Sequence, residues 1–193
     1  MEKFSRIKPE SSYQVNGKIK KNQVLYSDDY IEIVKYEDWT IQKGKDFVIC
    51  IPVLIEQNKF IIREEYIPTY KMAEGQERHL ACVGGHIEDG ETPEEALLRE
   101  IEEEAGLVIR DTYQIEFMKP MFVNKGSTIK CHAAILTLAE SDYHEVEIKG
   151  DGSKTEAMSK TIYLDNKYIN SLFTSDIVTE FMLMKLKKFM NIE

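Results

Sequence analysis

The amino-acid sequence predicts an α/β or α+β sandwich, with strands on both sides of a helix and in mixed order. Three observations carry this. A continuous apolar run at 47–55 has the length and composition of a strand buried on both faces. A segment at 93–105 bears helix signals at both ends. Ahead of both, residues 13–41 fall into short strand-like pieces separated by turn-forming sets, the pattern of a small antiparallel β region.

Taken in order, residues 1–12 read as a polar leader, and strands are expected at 13–19, 24–26 and 30–36. Asn16-Gly17, Lys20-Lys21-Asn22 and Ser27-Asp28-Asp29 supply the turns. A polar break at 42–46 precedes the apolar run, and 59–66 reads as its hairpin partner after Gln57-Asn58. Residues 69–78 are polar and loop-like. Further strands are expected at 115–123, 129–138 and 161–164, and a last helix at 175–190. The expected division is an N-terminal β region at 1–45 and a larger domain at 46–193.

A chain of 193 residues has room for one ordinary core, or one core and a small appendage. It is 42% apolar, too much for a disordered chain. No run of eighteen apolar residues is present and the N-terminus lacks a signal-peptide stretch, so no membrane span or export signal is expected. Cys50, Cys82 and Cys131 are far apart and odd in number. They show neither zinc spacing nor a disulfide framework, which makes a reducing cytoplasm the expected compartment. A net charge of -9 argues against a nucleic-acid backbone as partner. It leaves room for a small phosphorylated substrate, since a bound divalent cation inverts the local sign.

The chemistry lies in residues 84–107, GGHIEDGETPEEALLREIEEEAGL. Thr92 and Glu95 form a capping-box pair, Pro93 takes the first helical position, and Gly106 fits the left-handed stop. At about 100° per residue, with Ile101 as origin, Leu97, Ala105 and Leu98 make a buried stripe. Glu104, Glu100 and Glu103 fall at roughly -60°, -100° and -160° on one arc beside it. Like charges so spaced destabilise a helix by a few tenths of a kcal/mol per pair, roughly. Such a cluster suits a hard cation, Mg²⁺ or Mn²⁺, because its ligands are all oxygen. A solvated acidic helix face is the bland alternative.

The spacing around that helix decides between them. Gly85, five residues, Glu91, seven residues, Arg99-Glu100-Ile101, one residue, Glu103-Glu104, one residue, Gly106-Leu107 resembles the Nudix box at each of its nine specified positions. The resemblance implies an α/β/α sandwich whose box holds cations on a diphosphate. Glu100, Glu103 and Glu104 would be metal ligands, with the backbone carbonyl of Gly84 a further one. Arg99 would orient the carboxylates, together with Glu91, and Gly85 and Gly90 would let the loop turn tightly. The implied reaction is attack of an activated water on a phosphorus, with the cations, Mg²⁺ or Mn²⁺ in its place, screening charge.

Outside the box, residues 60–68 and 80–85 resemble the ADP-sugar pyrophosphatase branch. That implies cleavage of ADP-ribose or another ADP-sugar to AMP and a sugar phosphate, by a homodimer that pairs through residues 13–41. Tyr66 stands where the branch carries an arginine, and Arg63 or Arg78 is a candidate for the missing cation. The catalytic base of the branch lies on a loop outside the box. Here the polar, glycine-bearing stretch 149–159 matches in place, and Glu156 is the expected base, with Asp151, Glu147 and Glu145 behind it. Trp39, the single tryptophan, is a candidate platform for a purine, or else a packed strand aromatic. Competing readings keep the fold and change its use: an NADH, dinucleotide or modified-nucleotide hydrolase, a non-catalytic ligand sensor, or an isoprenoid diphosphate isomerase. The unbroken box speaks against the last two.

Overall fold

A computed structural model describes residues 11–15, 18–110, 113–148 and 156–191; the side chains of 11–15, 18–22 and 156 lie outside that description. It divides into two compact units, 1–47 with 120–131, and 48–119 with 132–193.

The first unit is built on an antiparallel sheet of four strands in sequence order: β1 (Ser11–Val15), β2 (Lys18–Ser27), β3 (Ile31–Tyr36) and β4 (Trp39–Gly44). Asp28 makes the β2–β3 turn by accepting from the Tyr30 and Ile31 amides, both at 2.8 Å. The tight β3–β4 turn uses Glu37 at φ 52°. β4 runs into the first three residues of the polar break expected at 42–46. Its backbone pairs with β3 from Tyr36–Trp39 to Ile31–Gly44, and with few apolar residues it leaves no alternation to read.

The second unit carries the core. β5 (Phe47–Leu54) and β6 (Lys59–Tyr66) are the expected hairpin. β5 is buried from Val48 to Leu54. Val48, Cys50 and Leu54 join the cluster formed with Leu97, Ile101 and Ala105, while Ile49, Ile51 and Val53 are buried on the other face. Both faces of the strand are therefore covered, as its continuous apolar run requires. Within the larger mixed sheet, β14 (Lys160–Asp165) lies against β6, and β12 (Lys130–Leu138) between β5 and β10 (Gln114–Phe117). β7 (Arg78–Ala81) pairs with β6, and β8 (Val83–His86) with β5.

Among the described residues there are three α-helices: α1 (Pro68–Glu74), α2 (Pro93–Ala105) and α3 (Ile177–Phe189). α2 matches its expected bounds, with the Thr92–Glu95 capping box formed and Gly106 left-handed at φ 66°. α1 corrects the loop expected at 69–78. Pro68 starts it and Gly75 stops it at φ 73°, but it buries no residue, so it has no apolar stripe to betray it. The strand expected at 115–123 is instead β10 and the short β11 (Met121–Phe122), each pairing with β12. They are separated at 118–120 by a stretch that contains Pro120, which has no N–H to give a ladder. β9 (Leu107–Ile109) and β13 (Tyr143–Glu145) form a separate pair that was not expected. Cys50, Cys82 and Cys131 are buried and form no disulfide. Among the described residues no helix is long and apolar enough to cross a membrane.

Candidate active site

The site is assembled where β8 meets α2. At Gly84 a Cβ would stand 2.1 Å from the Val48 carbonyl oxygen, so β8 can approach β5 only through a glycine there. At Gly85 a Cβ would stand 2.1 Å from Glu100 Oε1. Gly85 was expected to serve a tight turn, but its φ is not positive; it gives room to a carboxylate. Gly90, at φ 93°, is the position that needs glycine for the turn itself.

Arg99 sits among the acids of the box. Its Nε and Nη2 grip both oxygens of Glu91, at 2.8 and 3.1 Å. Nη1 donates to Glu100 at 2.7 Å and to Glu103 at 3.2 Å, and Nη2 also reaches the His86 carbonyl at 2.9 Å. One planar fork therefore ties the loop before α2 to two turns of the helix, a task for which arginine geometry is suited and lysine is not.

Glu104 is held from two other directions. Its Oε2 accepts from the Gly84 N–H at 2.9 Å, and its Oε1 lies 3.2 Å from Arg63 Nη2. Burial pushes its carboxyl up to about 8, against the pull of Arg63. Burial also raises the carboxyls of Glu100, against Arg99, and of Glu65, against Arg63. The helical arc placed Glu100 and Glu104 beside the buried stripe. The structure puts both inside it, at 8% exposure each, while Leu98 is only half-buried.

The chemistry of this donor set, though not its present spacing, suits a hard divalent cation. Five carboxylates (Glu65, Glu91, Glu100, Glu103, Glu104) share two guanidinium groups, Arg63 and Arg99. Desolvation penalises that excess of negative charge, and oxygen-only ligands select Mg²⁺ or Mn²⁺ over softer metals. Among the described residues, no three His, Cys, Asp or Glu side chains are gathered at ligating spacing. Arg99 bridges Glu100 and Glu103 in this arrangement.

The remaining expected residues are distributed more widely. Arg63 is 3% exposed and has its guanidinium turned onto Glu104, Glu65 and Thr161. Tyr66 and Arg78 face each other in the β6–β7 register; Arg78 pairs with Glu64 at 3.4 Å, and the Tyr66 amide donates to Ser159 Oγ at 3.2 Å. Glu156 opens a 3-10 turn, Glu156–Met158, beside β6; its side chain lies outside the described residues, as does Asp151. Trp39 belongs to the first unit and is 55% exposed. Glu65, Thr161 and Tyr163 went unmarked by sequence reasoning. The only signal for Glu65 is its place two residues after Arg63, which on a strand means the same face.

The NUDIX domain family model matches residues 48–163. The chain belongs to the Nudix family and is a Nudix hydrolase. A solved structure described as an ADP compounds hydrolase is similar over 98% of this chain and 100% of its own length, with a TM-score of 0.58 at 13% identity; the likeness is one of fold. A comparison with curated protein sequences finds no match.

Proposed function

We propose that the protein hydrolyses the diphosphate of an ADP-sugar, ADP-ribose or a close relative, to AMP and a sugar phosphate, with Mg²⁺ as cofactor. The observation that carries the reading is the Arg99 fork on Glu91, Glu100 and Glu103 beside the Glu104–Gly84 bond. When bound, the cation neutralises diphosphate oxygens and the charge that develops on the leaving group. Arg99 keeps the carboxylates oriented, the Gly84 N–H holds Glu104, and the Gly84 carbonyl is proposed as a further ligand. The ADP-sugar assignment draws on the residues at 60–68 and 80–85 and is supported by the substrate class of the similar solved structure. Incubation of the protein and Mg²⁺ with ADP-ribose, other ADP-sugars, NADH and nucleoside triphosphates, with products separated by chromatography, tests it. ADP-sugar turnover to AMP is expected; turnover of NADH or triphosphates alone would overturn the substrate and keep the family chemistry. Trp39, Tyr66 and Arg78 are proposed substrate contacts, and Trp39→Ala is expected to raise KM with kcat little changed.

Glu156 is proposed as the base. The 3-10 turn that it opens stands beside β6, the strand of Arg63 and Glu65. Glu156→Gln is expected to lower kcat by about 10²–10⁴-fold, with Mg²⁺ and substrate affinity nearly unchanged. An unimpaired variant would move the role to another carboxylate.

A homodimer pairing through residues 13–41, in the cytoplasm, completes the proposal. The four-stranded sheet of the first unit buries only Val24 and Val34 among its described apolar residues, too little to stabilise it alone. Light scattering at micromolar concentration is expected to give twice the 22.4 kDa chain mass; a monomer would refute pairing.

A further inference from the structure

The last carbonyls of a helix have no partner within it, and cations near them are favourable. α2 has no basic residue in its last turn. Gly106 satisfies the carbonyls of Ile101 and Glu102. Those of Glu104 and Ala105 are met from the sheet. Arg63 Nη1 donates to the Glu104 carbonyl at 3.0 Å, and the Thr161 hydroxyl donates to the same oxygen. The Tyr163 hydroxyl donates to the Ala105 carbonyl at 3.2 Å. Thr161 lies opposite Arg63 in the β14–β6 register, and Tyr163 lies two residues further on, so all three side chains share one face of the sheet.

Arg63 thus grips Glu104 twice, at its backbone oxygen and at its carboxylate. Its Nε is taken by Glu65 at 3.3 Å, and its Nη1 also reaches Thr161 Oγ1 at 3.3 Å. The other oxygen of Glu104 is held by Gly84. A helix residue fixed through both backbone and side chain can neither slide along the helix axis nor rotate against β8.

We propose that Arg63, Thr161 and Tyr163 are positioning residues for the hydrolysis. They set the axial placement of α2 on the sheet, and through it the relation of Glu104 to Gly84. The inference rests on the proposed role of Glu100, Glu103 and Glu104. Each polar group of the clamp is bonded inside the protein, so its loss reduces the turnover of bound substrate and leaves substrate affinity alone.

Thr161→Val and Tyr163→Phe remove one hydroxyl each with shape nearly kept. Each is expected to lower kcat about ten-fold with KM within about two-fold, since small misplacements of reacting groups cost rate. The double variant is expected to lose less than the product of the singles, because both act on one helix end. Arg63→Met is expected to lose more than either, and Arg63→Lys to recover part of it; if Arg63→Met does not fold, the hydroxyl variants carry the test. A purely structural role would lower Tm and leave kcat per folded molecule unchanged. Folded hydroxyl variants with parental kcat, or with raised KM alone, overturn the inference. Glu103→Gln in the same assay separates the failures: if it too keeps full activity, the proposed metal site is wrong, whereas if it alone loses activity, only the clamp is.

Discussion

Glu103→Gln is expected to lower turnover about 100-fold or more and to leave the fold intact, because cation-centred charge stabilisation is the main catalytic resource of such a site. Glu103 has the most exposed side chain of the three carboxylates on the arc, at 35% against 11% for Glu100 and 10% for Glu104. It accepts from Arg99, which keeps Glu91 and Glu100 when that bond is lost. Removing a like charge from the arc relieves repulsion, so Tm without metal should hold or rise slightly. Glu104→Gln is expected to match the kinetic loss with a different structural signature. Both Glu104 oxygens accept, one from Arg63 and one from the Gly84 amide. An amide side chain offers one acceptor and turns a donor toward the other partner, so Tm should fall above about pH 8, where Glu104 is ionised. Activity measured alongside thermal melts decides the matter; full Mg²⁺-dependent turnover in both variants would falsify the metal assignment.

The metal-free protein is expected to lose stability as pH rises from about 4.5 to about 8. Glu104 has its carboxyl raised from 4.5 to about 8 by burial. Across that window the folded chain retains a proton that the unfolded chain has released. Stability then declines with pH, by at most about 1.4 kcal/mol per pH unit for one group. Glu65 and Glu100 are shifted in the same direction by burial. The carboxyls shifted downward, Asp28, Glu64, Glu77 and Glu95, act below this window. The Glu95 shift comes first from the Thr92 amide of the capping box. If Mg²⁺ binds the folded, deprotonated site as proposed, it should offset the decline most at the alkaline end. Melts in EDTA and in Mg²⁺ from about pH 5 to 8.5 span the window in which the linkage acts. A Tm in EDTA that is flat or rises over this range would sink the expectation.

What the sequence disclosed and what it hid divide along one physical line. α2 was legible at both ends because its signals are local: Thr92 and Glu95 close a capping box within the first turn, and Gly106 stops the helix by its own torsion. β5 was legible because burial on both faces leaves an unbroken apolar run. The carboxylate arc was legible because helical spacing alone fixes it. α1 and β4 were not, since neither has a buried apolar face for a pattern to record. Arg63 shows the limit most clearly. With Arg78, it was a candidate for the cation that the resembling branch carries where Tyr66 stands. Its actual partners, Glu104 at 41 residues and Thr161 at 98 residues along the chain, follow from strand register, which no local pattern states.

Gly85 has a consequence for how this sequence can vary. Its backbone torsion is open to any residue, yet a methyl group there would collide with the carboxylate of Glu100. The space at position 85 thus belongs functionally to position 100. An alanine introduced at 85 requires the Glu100 carboxylate to move away from its present place, and a shorter acid at 100 is one exchange that would free the space. Libraries that randomise the two positions together are expected to recover alanine at 85 more often than libraries that randomise 85 alone.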